Sequence, residues 1–249
     1  MILAAGVSIF IVLLALSLVI LKRQNERVCK IERKHVLILT AHPDDECMFF
    51  SPTIAHLLQA KNKVTVLCLS NGDFYGEGKI RRKEFDDACS ILQVTGLINS
   101  NQSFPDDPSI LWDSDCIVVE IQKIYDSKPF DVIVTFDDYG ISGHLNHISL
   151  NAAVLKIKSI RADQFKDTSI YILKSWNSLL KYFPGALIFW CAISNFKGDE
   201  STLNYLVPIR KIRIGARAMF AHYTQLKYFR LFYIILSNYM YINPLQKIK

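Results

Sequence analysis

An α/β fold, Rossmann-like and layered around a mainly parallel sheet, is predicted for residues 35–249 of this chain. Two observations carry the prediction. Apolar runs at His35–Thr40, Val64–Leu69 and Asp131–Phe136 each end in polar, turn-forming residues, the pattern of strands buried on both faces of a parallel sheet. Stretches with helical spacing separate them, and strand–helix alternation builds βαβ units. The 249 residues suffice for one good-sized domain with its own core.

The amino-terminal segment is of another kind. Ile2–Leu21 is an uncharged run of 20 residues, about 30 Å long as a helix and enough to cross a bilayer. A cleaved signal peptide fits less well, because no basic residue precedes the run and the run exceeds the usual apolar core of such peptides. Residues 1–21 are therefore read as an uncleaved transmembrane anchor and 22–34 as a basic juxtamembrane linker. Lys22, Arg23, Arg27, Lys30, Arg33 and Lys34 follow the run directly, which places everything after it on the cytosolic side. Cysteines 29, 47, 68, 89, 116 and 191 form no CxxC and suit free thiols in a reducing compartment.

Each later element follows from local chemistry. Pro43 has no N–H to lose and favours the first position of a helix, which puts Asp44, Asp45 and Glu46 in the first turn of a helix running from Asp44 to Ala60. Ser70-Asn71-Gly72-Asp73 closes the second strand, and Gly76 and Gly78 loosen the loop behind it. Phe85, Ala88, Ile91 and Leu92 give Arg81–Val94 an apolar helical face. Phe104-Pro105-Asp106-Asp107-Pro108 is a loop, Cys116–Tyr125 a helix, Asn146–Ile160 a helix, and Ser169–Leu173 a further strand. The last third is less legible. Leu179–Ile193 and Phe220–Ile242 are aromatic and apolar, and the longest uncharged run there, Leu231–Leu245, is short for a second span.

The net charge of +6 conceals a partition. Residues 35–200 carry fifteen basic against twenty-one acidic side chains, whereas 201–249 hold eight basic residues, nine aromatics and no acid. An acidic body argues against nucleic acid as a partner. Basic, aromatic ends beside an anchor suit an anionic lipid surface, with filling of the core as the competing use of the aromatics. No partner protein can be inferred.

The chemistry sits in two polar clusters. His42 and Asp45 are three residues apart, and so are His144 and His147; each pair follows a buried strand, so both can converge at one edge of the sheet. Imidazole nitrogens and a carboxylate oxygen with one position open to water suit a catalytic zinc ion rather than a structural one. AHPDDE (41–46) and GISGHLNH (140–147) resemble the motifs of the PIG-L family of zinc-dependent de-N-acetylases acting on N-acetylglucosaminyl conjugates. The resemblance extends to RRKE (81–84), FPDDP (104–108), VTFD (134–137), HYTQ (222–225) and YINPL (241–245).

That resemblance implies a membrane-bound hydrolase of the endoplasmic reticulum, its catalytic domain cytosolic. The implied substrate is a glycolipid, N-acetylglucosaminyl-phosphatidylinositol, deacetylated early in the synthesis of glycosylphosphatidylinositol anchors. It makes His42, Asp45 and His147 the ligands of Zn2+ (or another divalent transition metal) and Asp44 the general base. It makes His144 the group that meets the oxyanion and aids the leaving amine, and Arg81 a sugar-binding residue. The rivals are a deacetylase of another N-acetylglucosamine conjugate and a membrane-tethered, non-catalytic binding module. Glu46 is read as a supporting or capping group, and Asp137 and Asp138 as orienting a ligand or capping the strand. His35, His56 and His222 are read as structural.

Overall fold

The computed structural model describes residues 31–99, 103–160, 164–182, 202–207 and 209–248, with Val12, Ala15, Leu16 and Val19. Apart from those four residues, the proposed anchor lies outside the described residues, as do positions 22–30 of the linker and 183–193 of the apolar stretch. Among the described residues, no helix is long and apolar enough to cross a membrane. Residues 31–34 already pack on the domain. Ile31 is buried, its carbonyl accepts a bond from Asn62 Nδ2, and Arg33 N donates to Ala60 O.

The strands are β1 (His35–Thr40), β2 (Lys63–Cys68), β3 (Thr95–Ile98), β4 (Val132–Phe136), β5 (Ser169–Leu173), β6 (Thr202–Leu206) and β7 (Ile242–Lys247). They form one sheet in the order β3-β2-β1-β4-β5-β7-β6. The first five are parallel, and β7 runs antiparallel to both β5 and β6. Val36–Leu39 and Ile133–Val134 are fully buried, as strands covered on both faces must be.

The helices are α1 (Asp45–Met48), α2 (Ser51–Gln59), α3 (Gly78–Leu92), α4 (Ser114–Ser127), α5 (Gly140–Gly143), α6 (Leu145–Ile160), α7 (Ser178–Tyr182), α8 (Ile209–Ala221) and α9 (Tyr228–Leu236). Helix α8 packs on α3 and α2, while α4 packs on α6. Strand order reverses between β1 and β4, so the loops leaving their carboxyl ends diverge and open a crevice.

Three local expectations are corrected. The helix expected from Asp44 to Ala60 is two helices, broken at Phe49 and Phe50, and Pro52 rather than Pro43 occupies a helical first turn. Asp44 lies outside the first turn with φ 113°, a left-handed conformation unusual for a residue with a Cβ. The helix at Arg81 begins three residues earlier, at Gly78, because Asp73 Oδ1 accepts the Gly78 N–H at 2.7 Å and closes the preceding loop.

Candidate active site

Sequence-local turns at the ends of β1 and β4 bring the metal-competent side chains together. Asp45 turns back so that Oδ2 accepts the backbone N–H of Ala41 (3.0 Å) and His42 (2.9 Å). Gly140 has φ +64°, and a Cβ there would stand 2.6 Å from His147 Cβ, so only glycine lets helix α6 start this close to the strand end. Asp137 fixes that turn. Its Oδ1 accepts from Gly140 N (3.1 Å) and Ser175 Oγ (2.5 Å), and its Oδ2 accepts from Ser175 N (2.6 Å). Asp137 thus closes the strand-end turn and reaches His147 only through Gly140, while Asp138 is exposed.

Hydrogen bonds on the far sides of the two rings decide which nitrogens are free. His147 Nδ1 donates to Gly140 O at 2.9 Å, leaving Nε2 with its lone pair. His42 Nε2 faces Asn146 Oδ1 at 2.8 Å. Asn146 Nδ2 is committed as a donor to Ile110 O, so His42 carries its proton on Nε2 and presents Nδ1 bare. Phe136 stacks on the His147 ring at 4.1 Å and holds its plane.

Facing these free nitrogens, His42 Nδ1 and His147 Nε2, is Asp45 Oδ2, the oxygen that also accepts the two backbone N–H groups. The three atoms are separated by 3.4 Å (His42–His147), 3.4 Å (His147–Asp45) and 3.8 Å (His42–Asp45). The point equidistant from them lies about 2.05 Å from each, within the 2.0–2.2 Å at which zinc takes N and O ligands. Three buried electron-pair donors face one another with no proton assigned between them, so the donor set calls for a cation. Burial opposes ionisation of Asp45, but His147 and His42 overcome it and hold the carboxyl well below the usual carboxylate range. Burial likewise disfavours a charged His147, yet Asp45 raises its pKa above the ordinary value.

His144 precedes α6 and adds a third imidazole whose nitrogen lies within 4.8 Å of those of His42 and His147. Burial, reinforced by His147 and His42, lowers its pKa to about 4, so it is neutral at physiological pH, and its buried Nδ1 has no hydrogen-bond partner.

Asp44 lines the same pocket as His42 and Asp45. Its backbone N–H donates to Glu46 Oε2 (3.1 Å), and its Oδ2 is 2.7 Å from Arg230 Nη2 of α9. Glu46 is therefore a supporting group, and the fully buried His222 donates to its Oε1 at 2.7 Å. Glu46, Cys47 and His222 also form a compact group of potential ligands. Their 2.7 Å contact is a hydrogen bond, and burial pushes the Cys47 thiol far above its ordinary pKa, so this group does not suit a metal. His35 joins Pro129 O to Thr65 and His56 bonds Leu206 O, both structural roles.

Arg81 reaches the crevice wall, where Nη2 donates to Pro43 O (2.8 Å) and Nη1 to Asp106 Oδ2 (2.8 Å) and Gly72 O (3.1 Å). The other oxygen of Asp106 lies 3.3 Å from His42 Nε2. Asp106, Asn146, Arg230 and Lys181 are site residues that sequence reading did not single out. FPDDP marked the neighbourhood of Asp106, but nothing local marked its partner. All four belong to a pocket of about 540 Å³ or to its supports; Met48, Phe49, Tyr233 and Ser142 complete much of the wall.

Residues 37–158 match the family model described as PIG-L, GlcNAc-PI de-N-acetylase. The N-acetylglucosaminyl-phosphatidylinositol de-N-acetylase of Bos taurus is 37% identical over 212 residues, spanning 84% of this chain and 81% of that protein. The probable N-acetylglucosaminyl-phosphatidylinositol de-N-acetylase of Dictyostelium discoideum is 31% identical over 253 residues, spanning 90% and 97%. Among solved structures, N,N'-diacetylchitobiose deacetylase from Pyrococcus horikoshii shares the fold, with a TM-score of 0.58 at 16% identity, over 86% of this chain and 84% of its own.

Proposed function

The chain belongs to the PIG-L family of N-acetylglucosaminyl-phosphatidylinositol de-N-acetylases, and we propose that it hydrolyses the N-acetyl amide of N-acetylglucosaminyl-phosphatidylinositol. The products are glucosaminyl-phosphatidylinositol and acetate, at an early step of glycosylphosphatidylinositol-anchor synthesis. The observation that carries the reading is the triangle of His42 Nδ1, Asp45 Oδ2 and His147 Nε2 in the wall of a pocket large enough for a sugar. These three residues would hold zinc. The ion supplies a Lewis acid that polarises a carbonyl oxygen and acidifies water.

The chain's own groups do the rest. Asp44 accepts the proton of the water whose oxygen attacks the amide carbon, a general-base contribution on the order of 10²–10⁴ in rate. Its contact with Arg230 holds the carboxylate in the pocket wall. His144, neutral, donates an N–H to the carbonyl oxygen as that oxygen gains charge. The proton that Asp44 takes from the water returns to the departing nitrogen, with His144 aiding the leaving amine. Breaking the C–N bond then leaves a free amine and acetate. Arg81, braced by Asp106, shapes the wall against which the sugar rests.

The same reading takes residues 2–21 as a single membrane span that keeps the domain on the cytosolic face of the endoplasmic reticulum. The supports are the apolar length and the basic residues after it.

The test is acetate release from the glycolipid in detergent micelles by the purified full chain, with and without a chelator. Asp44→Asn should keep its metal and lose turnover, and Asp45→Ala should lose both. Acetate release that persists in excess chelator would end the metal assignment, and none from the zinc-loaded wild type would end the deacetylase assignment.

A further inference from the structure

Helix α9 has two working faces and only one of them is covered. Arg230 and Tyr233, three apart, turn into the pocket wall, and the Tyr233 hydroxyl donates to Met48 O at 3.1 Å. The other side carries Leu231, Phe232, Ile235 and Leu236, which are 41%, 64%, 64% and 44% exposed. Soluble surfaces do not ordinarily expose four large apolar side chains on nearly two successive turns of helix.

The apolar face continues around the pocket mouth. Tyr182 lines the pocket, is 40% exposed and meets Tyr233 edge-on at 6.5 Å. On the opposite lip, Phe74 and Tyr75 line the pocket and are largely exposed, and Lys227, at the start of α9, places Nζ 5.2 Å from the Tyr75 ring. The mouth is therefore rimmed by exposed aromatic side chains from α7 and the loop after β2, and α9, whose Arg230 and Tyr233 line the pocket, carries its exposed apolar face beside them. The segment bearing α9 has basic residues and no acid between 201 and 249.

We propose that this rim is a bilayer-docking surface. Helix α9 lies in the plane of an anionic leaflet, with Phe232, Ile235 and Leu236 at the acyl boundary and the pocket mouth at the head-group level. Aromatic and aliphatic side chains on one helical face, in a segment that is basic and without acid from 201 to 249, are what an anionic interface selects. The placement rests on the deacetylase reading for its use: a lipid-linked sugar can enter the pocket while its acyl chains stay in the membrane. The aromatic rim also refines the expectation for residues 201–249. Tyr205, Tyr233 and Tyr239 fill the core, and Phe220, Tyr223 and Phe232 remain outside it.

The test uses the full chain in phosphatidylcholine–phosphatidylserine vesicles. In Phe232→Trp, the indole emission added to the wild-type signal should be quenched by phosphatidylcholine brominated at shallow acyl positions and be insensitive to aqueous iodide. Quenching by iodide alone would overturn the proposal, because the helix would then face water. Protection from both quenchers would overturn it too, since protein (the amino-terminal segment or a second copy of the chain) would then cover the face. As a functional arm, Phe232→Asp/Ile235→Asp should lower turnover of glycolipid in the same vesicles by about tenfold or more, while hydrolysis of the water-soluble N-acetylglucosaminyl-inositol phosphate head group is unchanged. Equal losses on both substrates would refute the docking role. The quenching result does not depend on turnover, so failure of the deacetylase reading would be seen separately, as no acetate from either substrate in the wild type.

Discussion

Replacing Asp106 by Asn tests whether the residues behind the metal triangle govern it. The substitution keeps size and removes charge at a group that faces two ways: towards His42 Nε2 at 3.3 Å and towards Arg81 Nη1 at 2.8 Å. A carboxylate behind a ligating imidazole raises the basicity of its metal-facing nitrogen, and losing such partners costs about 10–100-fold in metal affinity or activity, roughly 1.4–2.8 kcal/mol. His42 keeps the shorter bond to Asn146 Oδ1, at 2.8 Å, so the expected loss for Asp106→Asn lies near the lower, tenfold end. Removing that shorter bond with Asn146→Ala should move the loss towards the upper end. Zinc affinity measured by competition with a graded chelator, with metal content by elemental analysis, reads both variants against the wild type. If Asp106→Asn retained wild-type affinity and Asn146→Ala did too, the tautomer argument for His42 would fail, and with it the choice of Nδ1 as the metal-facing atom.

Three further outcomes are expected. Gly140→Ala places a Cβ 2.6 Å from that of His147 at φ +64°; the backbone term alone costs about 1–2 kcal/mol, and displacement of His147 should strip the metal, which elemental analysis would show. His222→Ala leaves the buried Glu46 carboxyl without its 2.7 Å partner, a loss of about 3–5 kcal/mol that corresponds to roughly 6–20 °C in Tm. The pH sense of that loss is fixed. Burial disfavours the charged imidazole but Glu46 raises its pKa above 6.5, so the pair's contribution is complete below about pH 6.5 and is lost as pH rises through the raised value. The Tm gap between wild type and variant should therefore narrow on going from pH 6 to pH 9. Among the described residues, Lys181 is the cation of the pocket wall with no carboxylate partner, whereas Arg81 and Arg230 each have one within 3 Å. Lys181→Met should raise KM for the phosphodiester-bearing glycolipid by about 10–100-fold, the worth of a charge-assisted hydrogen bond, and leave hydrolysis of phosphate-free N-acetylglucosaminyl-inositol unchanged.

The parallel half of the sheet was legible because buried strands announce themselves. Val36–Leu39 and Val132–Phe136 are uninterrupted apolar runs, and the polar residues that end each run mark where it meets the crevice. The antiparallel edge was not. β7 contains Asn243 and Pro244, residues that ordinarily break a strand. Pro244 is tolerated because pairing of β7 with β5 ends at Leu245, and the Pro244 carbonyl still accepts from Lys174 N at 3.0 Å. The reading of Asp44 as a helical residue failed for a different reason. Its φ of 113° is held by Glu46 Oε2 and by the Arg230 contact, and neither partner's hold is visible from helical periodicity in HPDDE.

The division of labour between near and distant residues explains why the convergence of His42, Asp45 and His147 was readable and the surroundings of that triangle were not. Spacings of three residues let His42 and Asp45 serve one centre, and GISGHLNH supplies His147 within seven residues of the glycine that orients it, so short motifs suffice. What sets the chemistry of Asp44 comes from elsewhere. The α9 guanidinium of Arg230 reaches its carboxylate, and His222, 176 residues from Glu46, secures the support of its strained backbone. A non-glycine residue with φ above zero costs about 1–3 kcal/mol, and it persists only where surrounding contacts over-determine it. The carboxyl-terminal third supplies those contacts. Asp44, the proposed base, is thus held by the same region that forms one lip of the pocket mouth, so a substitution in α9 that moves Arg230 should weaken turnover without releasing the metal, whereas one at Gly140 should release the metal first.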